Sequence, residues 1–202
     1  YCATRPPAVD RCIAPLRYAD PVDRLISSFK FHARFCDGRS LALLLAGSAR
    51  RAYAEEPLPE LLLPMPLHRD RWRQRGYNQA MEIARVVGRD LNLPLCATAV
   101  SRRRATAPQT SLQTIAARRR NVSGAFIALR PEQIQGVTHV AIVDDVITTM
   151  ATVNALAACL RQLGIPRVDA WCLARASRRT WPVNSVISGQ QTEQLVNNEP
   201  EM

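Results

Sequence analysis

A continuous apolar run, Val140-Ala141-Ile142-Val143, leads into Asp144-Asp145 and a threonine-rich turn, after which Val153, Leu156, Leu160 and Leu163 recur at helical spacing. An apolar run without polar alternation is the pattern of a strand buried on both faces, and such strands belong to parallel sheets covered by helices. This passage points the chain towards an α/β fold. The helix read over 151–163 stops at Gly164, a left-handed cap, with Pro166 just beyond it.

The rest of the chain alternates in the same way, which predicts a central, mainly parallel sheet flanked by helices. Arg11 to Ala19 reads as a strand, 21–31 as a helix with Leu25, Ile26 and Phe29 on one face, and 38–53 as a second helix. Leu61 to Pro66 reads as a short strand, followed by a basic loop and a helix over 78–91. Further strands are expected at 95–100, 125–129 and 168–174. The basic connection from Ser101 to Val122 is long, which marks a functional or mobile loop. Ser177 to Met202, rich in Ser, Asn, Gln, Thr and Glu, reads as a disordered tail.

At 202 residues and 47% apolar content the chain has enough for a single domain with a sizeable core. It carries 27 basic against 17 acidic residues, a formal charge of +10, and Lys30 is the sole lysine. That balance favours anionic partners, and the planar fork of arginine suits phosphate. A GC-rich genome, which enriches Arg and Ala together, explains the same composition, so position has to decide. No run approaches the roughly 18 apolar residues of a membrane span, and the first residues show no signal-peptide apolar region. Without an initiator Met, the chain reads as a fragment whose upstream segment is missing. Six cysteines without a C-x-x-C pair read as reduced thiols of a cytoplasmic protein. There is no G-x-S-x-G, H-E-x-x-H or Walker lysine, so serine hydrolase, zincin and P-loop readings have no support. Among the three histidines only His68 lies in a candidate site, and His139, at a strand start, reads as structural.

The carboxyl end of a parallel strand is where ligands bind in such sheets. There, paired carboxylates can accept bonds from sugar hydroxyls, while a helix start with flanking hydroxyls can hold a phosphate. Plain capping by Thr148 or Thr149, with the aspartates favouring the positive helix end, fits the same residues. The order of elements resembles the phosphoribosyl-pyrophosphate motif of type I phosphoribosyltransferases: apolar strand, two acids, spacer, then Thr-Gly-x-Thr. By that resemblance Asp144 and Asp145 hold the ribose hydroxyls, and Thr148, Thr149, Met150, Ala151 and Thr152 wrap the 5′-phosphate. Met150 stands where the family has glycine, a residue that allows close backbone approach or positive φ.

A second stretch, Leu63-Pro64-Met65-Pro66-Leu67-His68-Arg69-Asp70-Arg71-Trp72-Arg73-Gln74-Arg75-Gly76-Tyr77-Asn78-Gln79, resembles the ComF family, with its Pro-x-Pro strand end and Arg-Gly-[Phe/Tyr]-Asn-Gln. Phe29-Lys30-Phe31, Pro108-Gln109, Arg120-Asn121, Gly124-Ala125-Phe126 and Leu173-Ala174-Arg175 extend the resemblance over roughly 1–176. It implies a type I phosphoribosyltransferase-like domain over 21–176. Residues 1–20 would then be the remnant after a missing zinc ribbon, and 177–202 a separate tail. Cys2 resembles an orphan zinc ligand of that ribbon, and zinc is expected only in a longer form that carries its partners. The resemblance also implies a role in DNA uptake and natural transformation, handling single-stranded DNA at the cytoplasmic side of the membrane beside the uptake machinery. Phosphoribosyl pyrophosphate with Mg²⁺ is the implied ligand. An active transferase of nucleotide or nucleobase metabolism is the alternative, and the catalytic group and acceptor are not legible.

Leu67, His68, Arg69, Arg73, Arg75, Asn78 and Gln79 are assigned to a diphosphate loop by this resemblance. Asn78 and Gln79 act more plainly as helix cap and loop support. Arg71, Trp72, Arg73 and Arg75, with Arg102, Arg103, Arg104, Arg118 and Arg119, are candidates for tracking a nucleic-acid backbone, Trp72 stacking on a base, while the clusters 102–104 and 118–120 could equally close the long loop over a phosphorylated ligand or be plain surface charge. A solvated basic loop with Trp72 packed on the core is the plainer alternative.

Overall fold

In the computed structural model, residues 8–103, 124–176 and the backbone of 187–188 are described. The elements in chain order are β1 (Arg11–Ile13), β2 (Leu16–Arg17), α1 (Val22–His32), α2 (Phe35–Ala52), β3 (Leu61–Pro64), α3 (Arg69–Arg75) and α4 (Gln79–Leu91). After these come β4 (Val100–Arg102), β5 (Phe126–Ala128), β6 (His139–Ile147), α5 (Ala151–Gln162), β7 (Arg167–Arg175) and β8 (Ile187–Ser188).

The main sheet runs β3-β6-β7-β1-β8, with β2 also on β7. Every pairing in it is parallel except β1 with β8. The apolar runs explain the order: β6 and β7, buried over most of their length, lie at the centre with a core on each face. One core gathers Ile26 and Phe29 of α1, Leu41 and Leu45 of α2, Ile83 and Val87 of α4, and Val143 and Trp171 of the sheet. The other gathers Val153, Leu156 and Leu160 of α5, Val100 and Phe126 of the small β4–β5 pair, and Ile142 and Val168. The α/β architecture with helices on both faces is the one the sequence pattern predicts.

Three elements differ from expectation. The strand read over Arg11–Ala19 is two pieces, β1 opposite Asp169–Trp171 and β2 opposite Ala174–Arg175, because Pro15 between them lacks the amide a continuous ladder needs. The strand expected at 95–100 is reduced to a single bridge from Leu95 to Leu62, and the ladder begins only at Val100, antiparallel to β5. The basic stretch after β3, read as a loop, contains the helix α3. His68 Nδ1 caps it by accepting the Asp70 amide at 3.3 Å, and Gly76, at φ 77°, ends it.

Arg11–Arg17 hydrogen-bonds along β7 and so belongs to the central sheet. Within the segment read as a tail, Ile187–Ser188 forms β8 on β1, and the rest lies outside the described residues. Cys2, Arg104, Arg118, Arg119, Pro108-Gln109 and Arg120-Asn121 also lie outside them.

Candidate functional site

β3 and β6 lie side by side in parallel, Pro64 opposite Val143, so both chains leave the sheet at the same end. The Met65 amide still donates to the Val143 carbonyl at 2.8 Å, which sets Met65-Pro66-Leu67-His68 beside the aspartate pair. The pair itself does not follow the strand, as the sequence pattern suggested, but lies within it. β6 continues to Ile147 because Val146 and Ile147 pair with Ala174 and Arg175 of a β7 that is equally long.

Strand geometry sends successive side chains to opposite faces, and the partners of the two acids agree. Asp145 meets Lys30 of α1, with Nζ and Oδ2 at 2.8 Å and both side chains largely buried. Asp144 lies on the face of Ile142 and α5, where Arg102 of β4 acts on it electrostatically. The Asp145 amide donates to Asp144 Oδ1 at 2.9 Å and the Val146 amide to Asp145 Oδ1 at 2.6 Å. These two bonds fix both carboxylates against their own backbone.

The electrostatics follow from crowding two acids into a partly dry place. Burial first, and then the neighbouring charge of Asp145, push the Asp144 carboxyl up to about 7, against the pull of Lys30 and Arg102. Arg102 is brought down to about 10 by burial and by Arg71, with Asp144 acting in the opposite direction. Arg71 is likewise lowered, by burial and then by Arg75, and opposed by Asp145 and Asp144. Lys30 thus contacts the pair directly, and Arg71 and Arg102, from two other elements, act on it electrostatically. Near neutral pH Asp144 exchanges between a hydrogen-bond donor and an acceptor, while the cations can hold phosphate oxygens.

At the turn into α5 the capping position falls on Met150 rather than Thr148 or Thr149. Met150 has φ 59° and ψ −5°, the left-handed conformation, and supplies no side-chain cap. A methionine therefore occupies the backbone shape for which glycine is suited. Ala151 is buried, Thr149 and Thr152 are half-buried, and Thr148 is exposed.

The remaining sequence candidates separate by role. Asn78 caps α4, its Oδ1 accepting the Ala80 amide at 3.0 Å while Nδ2 donates to the Met65 carbonyl at 3.1 Å. Arg75 Nη1 donates to Gln79 Oε1 at 3.0 Å. Both are supports for the loop, as read. Arg69 and Arg73 are exposed, and Trp72 is 57% exposed, so the alternative that packs it on the core is incorrect. α3 has no buried residue at all. Leu67 and His68 are half-buried, and Arg103 is exposed. The sequence reading missed the pairing of Lys30 with Asp145, and it gave Arg102 to nucleic acid or to closing the long loop over a phosphorylated ligand rather than to the acid pair. The signals were present, since Lys30 is the lone lysine and sits inside Phe29-Lys30-Phe31.

A cleft of about 460 Å³ lies at the opposite, amino-terminal end of β6 and β7, lined by Pro57, Leu58, Glu60, Thr138, His139, Pro166 and Arg167. Its polar groups are engaged with the fold: Glu60 with Thr138, Arg167 with Glu56, and His139 with the fully buried Asp169. Tyr53 donates to the same Asp169 oxygen at 2.5 Å. His139 is structural, as expected. Among the described residues no group of three or more His, Cys, Asp or Glu is placed to hold a metal ion. Nor is any helix there long and apolar enough to cross a membrane.

The class is that of α/β proteins with a mainly parallel sheet, here with a paired acid near the carboxyl end of the central strand β6 and Lys30 ion-paired to it. No family model matches the chain. It is 36% identical over 177 residues to competence protein F of Haemophilus influenzae, covering 87% of this chain and 77% of that protein. To DNA utilization protein YhgH of Escherichia coli it is 36% identical over 176 residues, covering 86% and 76%. The YhgH of Salmonella typhi is 34% identical over 177 residues, with coverage of 86% and 76%. The chain belongs to the ComF family. Among solved structures, the chain is similar to a purine phosphoribosyltransferase from Pyrococcus horikoshii at 17% identity and TM-score 0.36, covering 69% of this chain and 73% of that one.

Proposed function

We propose that this protein acts in DNA uptake, handling incoming single-stranded DNA at the cytoplasmic side of the membrane, and that it carries a sugar-phosphate site of the phosphoribosyl-pyrophosphate type. The observation that carries the reading is the 36% identity to competence protein F over 87% of the chain. The convergence of Lys30, Arg71 and Arg102 on Asp144-Asp145 supports the second half, since a phosphorylated sugar offers phosphate to the cations and hydroxyls to the acids. In this reading Leu67 to Arg69 would serve the diphosphate and the turn Thr148 to Thr152 the 5′-phosphate. Asp144 and Asp145 bind and orient the ribose rather than attack it, and diphosphate departure would be assisted by arginine and backbone amides.

Mg²⁺ fits the donors present. Two carboxylates without a third ligand make no protein cage, and Mg²⁺ prefers one or two carboxylates plus substrate phosphates. When bound it would neutralise charge on the diphosphate. A second reading, an active phosphoribosyltransferase of nucleotide metabolism, draws support from Met150, whose backbone keeps the left-handed shape although the glycine is gone.

Calorimetric titration with phosphoribosyl pyrophosphate and Mg²⁺, on the wild type and Met150→Gly, tests the site. Binding by both supports the site. Binding by the glycine variant alone would mean a disabled site on a retained scaffold, and binding by neither would remove it.

A further inference from the structure

At the corner where α1 passes into α2, Phe31, His32, Ala33, Arg34 and Phe35 are all exposed. Phe31, at 65%, is the most exposed large apolar side chain among the described residues, and Phe35 is 49% exposed. Water contact on this scale is unfavourable for two phenylalanines four residues apart in a fold that buries its other two, Phe29 and Phe126.

The corner is held in place. Ala33 closes α1 in the left-handed conformation, φ 51°. Phe35 packs against Tyr77 with ring centroids 5.0 Å apart and meets buried Phe29 edge-on at 6.3 Å. The Tyr77 hydroxyl donates to the Phe29 carbonyl. Phe35 is thus presented by a packed base, and Phe31 lies in the last turn of the helix that carries Phe29.

Cations accompany them. The Arg75 guanidinium lies 5.3 Å from the centre of the Phe31 ring, and Arg34, exposed, pairs with Asp37 at 3.2 Å. Lys30, the residue before Phe31, is the one that reaches Asp145. Trp72, three residues before Arg75 on α3, shares a helix face with it. Exposed rings and guanidinium groups therefore continue outward from the acid pair along α1 and α3. Rings bordered by arginine match a strand that alternates flat bases with phosphates.

We infer that Phe31 and Phe35 form a stacking platform for the bases of a single-stranded nucleic acid, with Arg75 and Arg34 beside its phosphates. The inference rests on the DNA-handling reading and adds to it a site outside the acid pair. Stacking on the two rings is independent of base identity, because every base has a π-face.

The test measures fluorescence anisotropy of a labelled poly-dT strand and of an equally long abasic strand with the same phosphates. Phe31→Ala combined with Phe35→Ala should weaken poly-dT binding by roughly tenfold or more and leave the abasic strand unaffected. Phe31→Ala alone, at a position that packs little, should show a smaller loss with an unchanged melting temperature, and Phe31→Trp should restore binding. Equal binding of poly-dT by wild type and double variant would overturn the platform while leaving the DNA reading standing. So would an equal loss on both strands. Failure of the wild type to bind either strand would overturn the DNA reading itself, and the platform with it.

Discussion

At the scale of single residues, two side chains carry the chemistry that departs most from the ordinary. Met150 is held left-handed, a conformation that costs a non-glycine residue about 1–2 kcal/mol. Met150→Gly is expected to raise stability by roughly 1 kcal/mol, or about 2–4 °C in melting temperature for a chain of this size. A glycine variant that melts lower would show that Met150 packing outweighs the backbone cost. Asp144 carries a carboxyl pushed up to about 7 by burial and by Asp145, from an ordinary 3.8. The folded state therefore binds more protons than the unfolded one between those values, so this group makes stability fall as pH rises from about 4 to about 7. Asp144→Asn abolishes the effect. Its melting temperature should exceed that of the wild type by more at pH 8 than at pH 5, with a difference on the order of 1–2 kcal/mol after allowance for partial exposure. Parallel curves would sink the assignment.

At the scale of elements, the corner between α1 and α2 depends on one close approach. A Cβ on Gly38 would come 2.6 Å from two carbons of the Phe29 ring. Gly38→Ala should therefore cost about 1–3 kcal/mol through overpacking. Because Phe29 precedes Lys30, it should also loosen the bond to Asp145, and chemical denaturation together with a ligand titration would read both effects. This close approach shows which parts of the fold were legible. β6, α5 and β7 were readable because an unbroken apolar run and a 3.6-residue period each have one common structural meaning. α3 was missed because its signals, a His cap and a Gly stop around six polar residues and Trp72, include no periodic apolar face. β4 was displaced because it pairs with β5 across a long stretch of sequence, and nothing local sets that register. In the site, Asp144, Asp145 and the loop supports Asn78 and Gln79 were identifiable from motif order. Lys30 stood out as the lone lysine, but that it and Arg102 act on the acids is set by tertiary packing of distant segments and was not legible.

At the scale of the whole molecule, the net charge of +10 sets how it meets polyanions. If the exposed arginines of α3 track single-stranded DNA, the logarithm of affinity should fall linearly with the logarithm of salt concentration. Replacing Arg69 and Arg73 with alanine should lessen that slope by roughly 0.7 for each phosphate no longer neutralised. A flat salt response would rule out the electrostatic model. The sheet adds a constraint of another kind. β1 and β2 rest on β7, so Arg11 pairs with Asp169 and Leu16 with Ala174. On a ribosome, the earliest strands emerge long before the strand that receives them, and no other described strand except β8 pairs with either. The helices of α1, α2 and α4 can begin to associate while synthesis continues, but the sheet cannot close until β7 has left the exit tunnel. Until then the nascent chain holds β1 and β2 as an unpaired β edge, and this is the stage at which a chaperone would matter to it most.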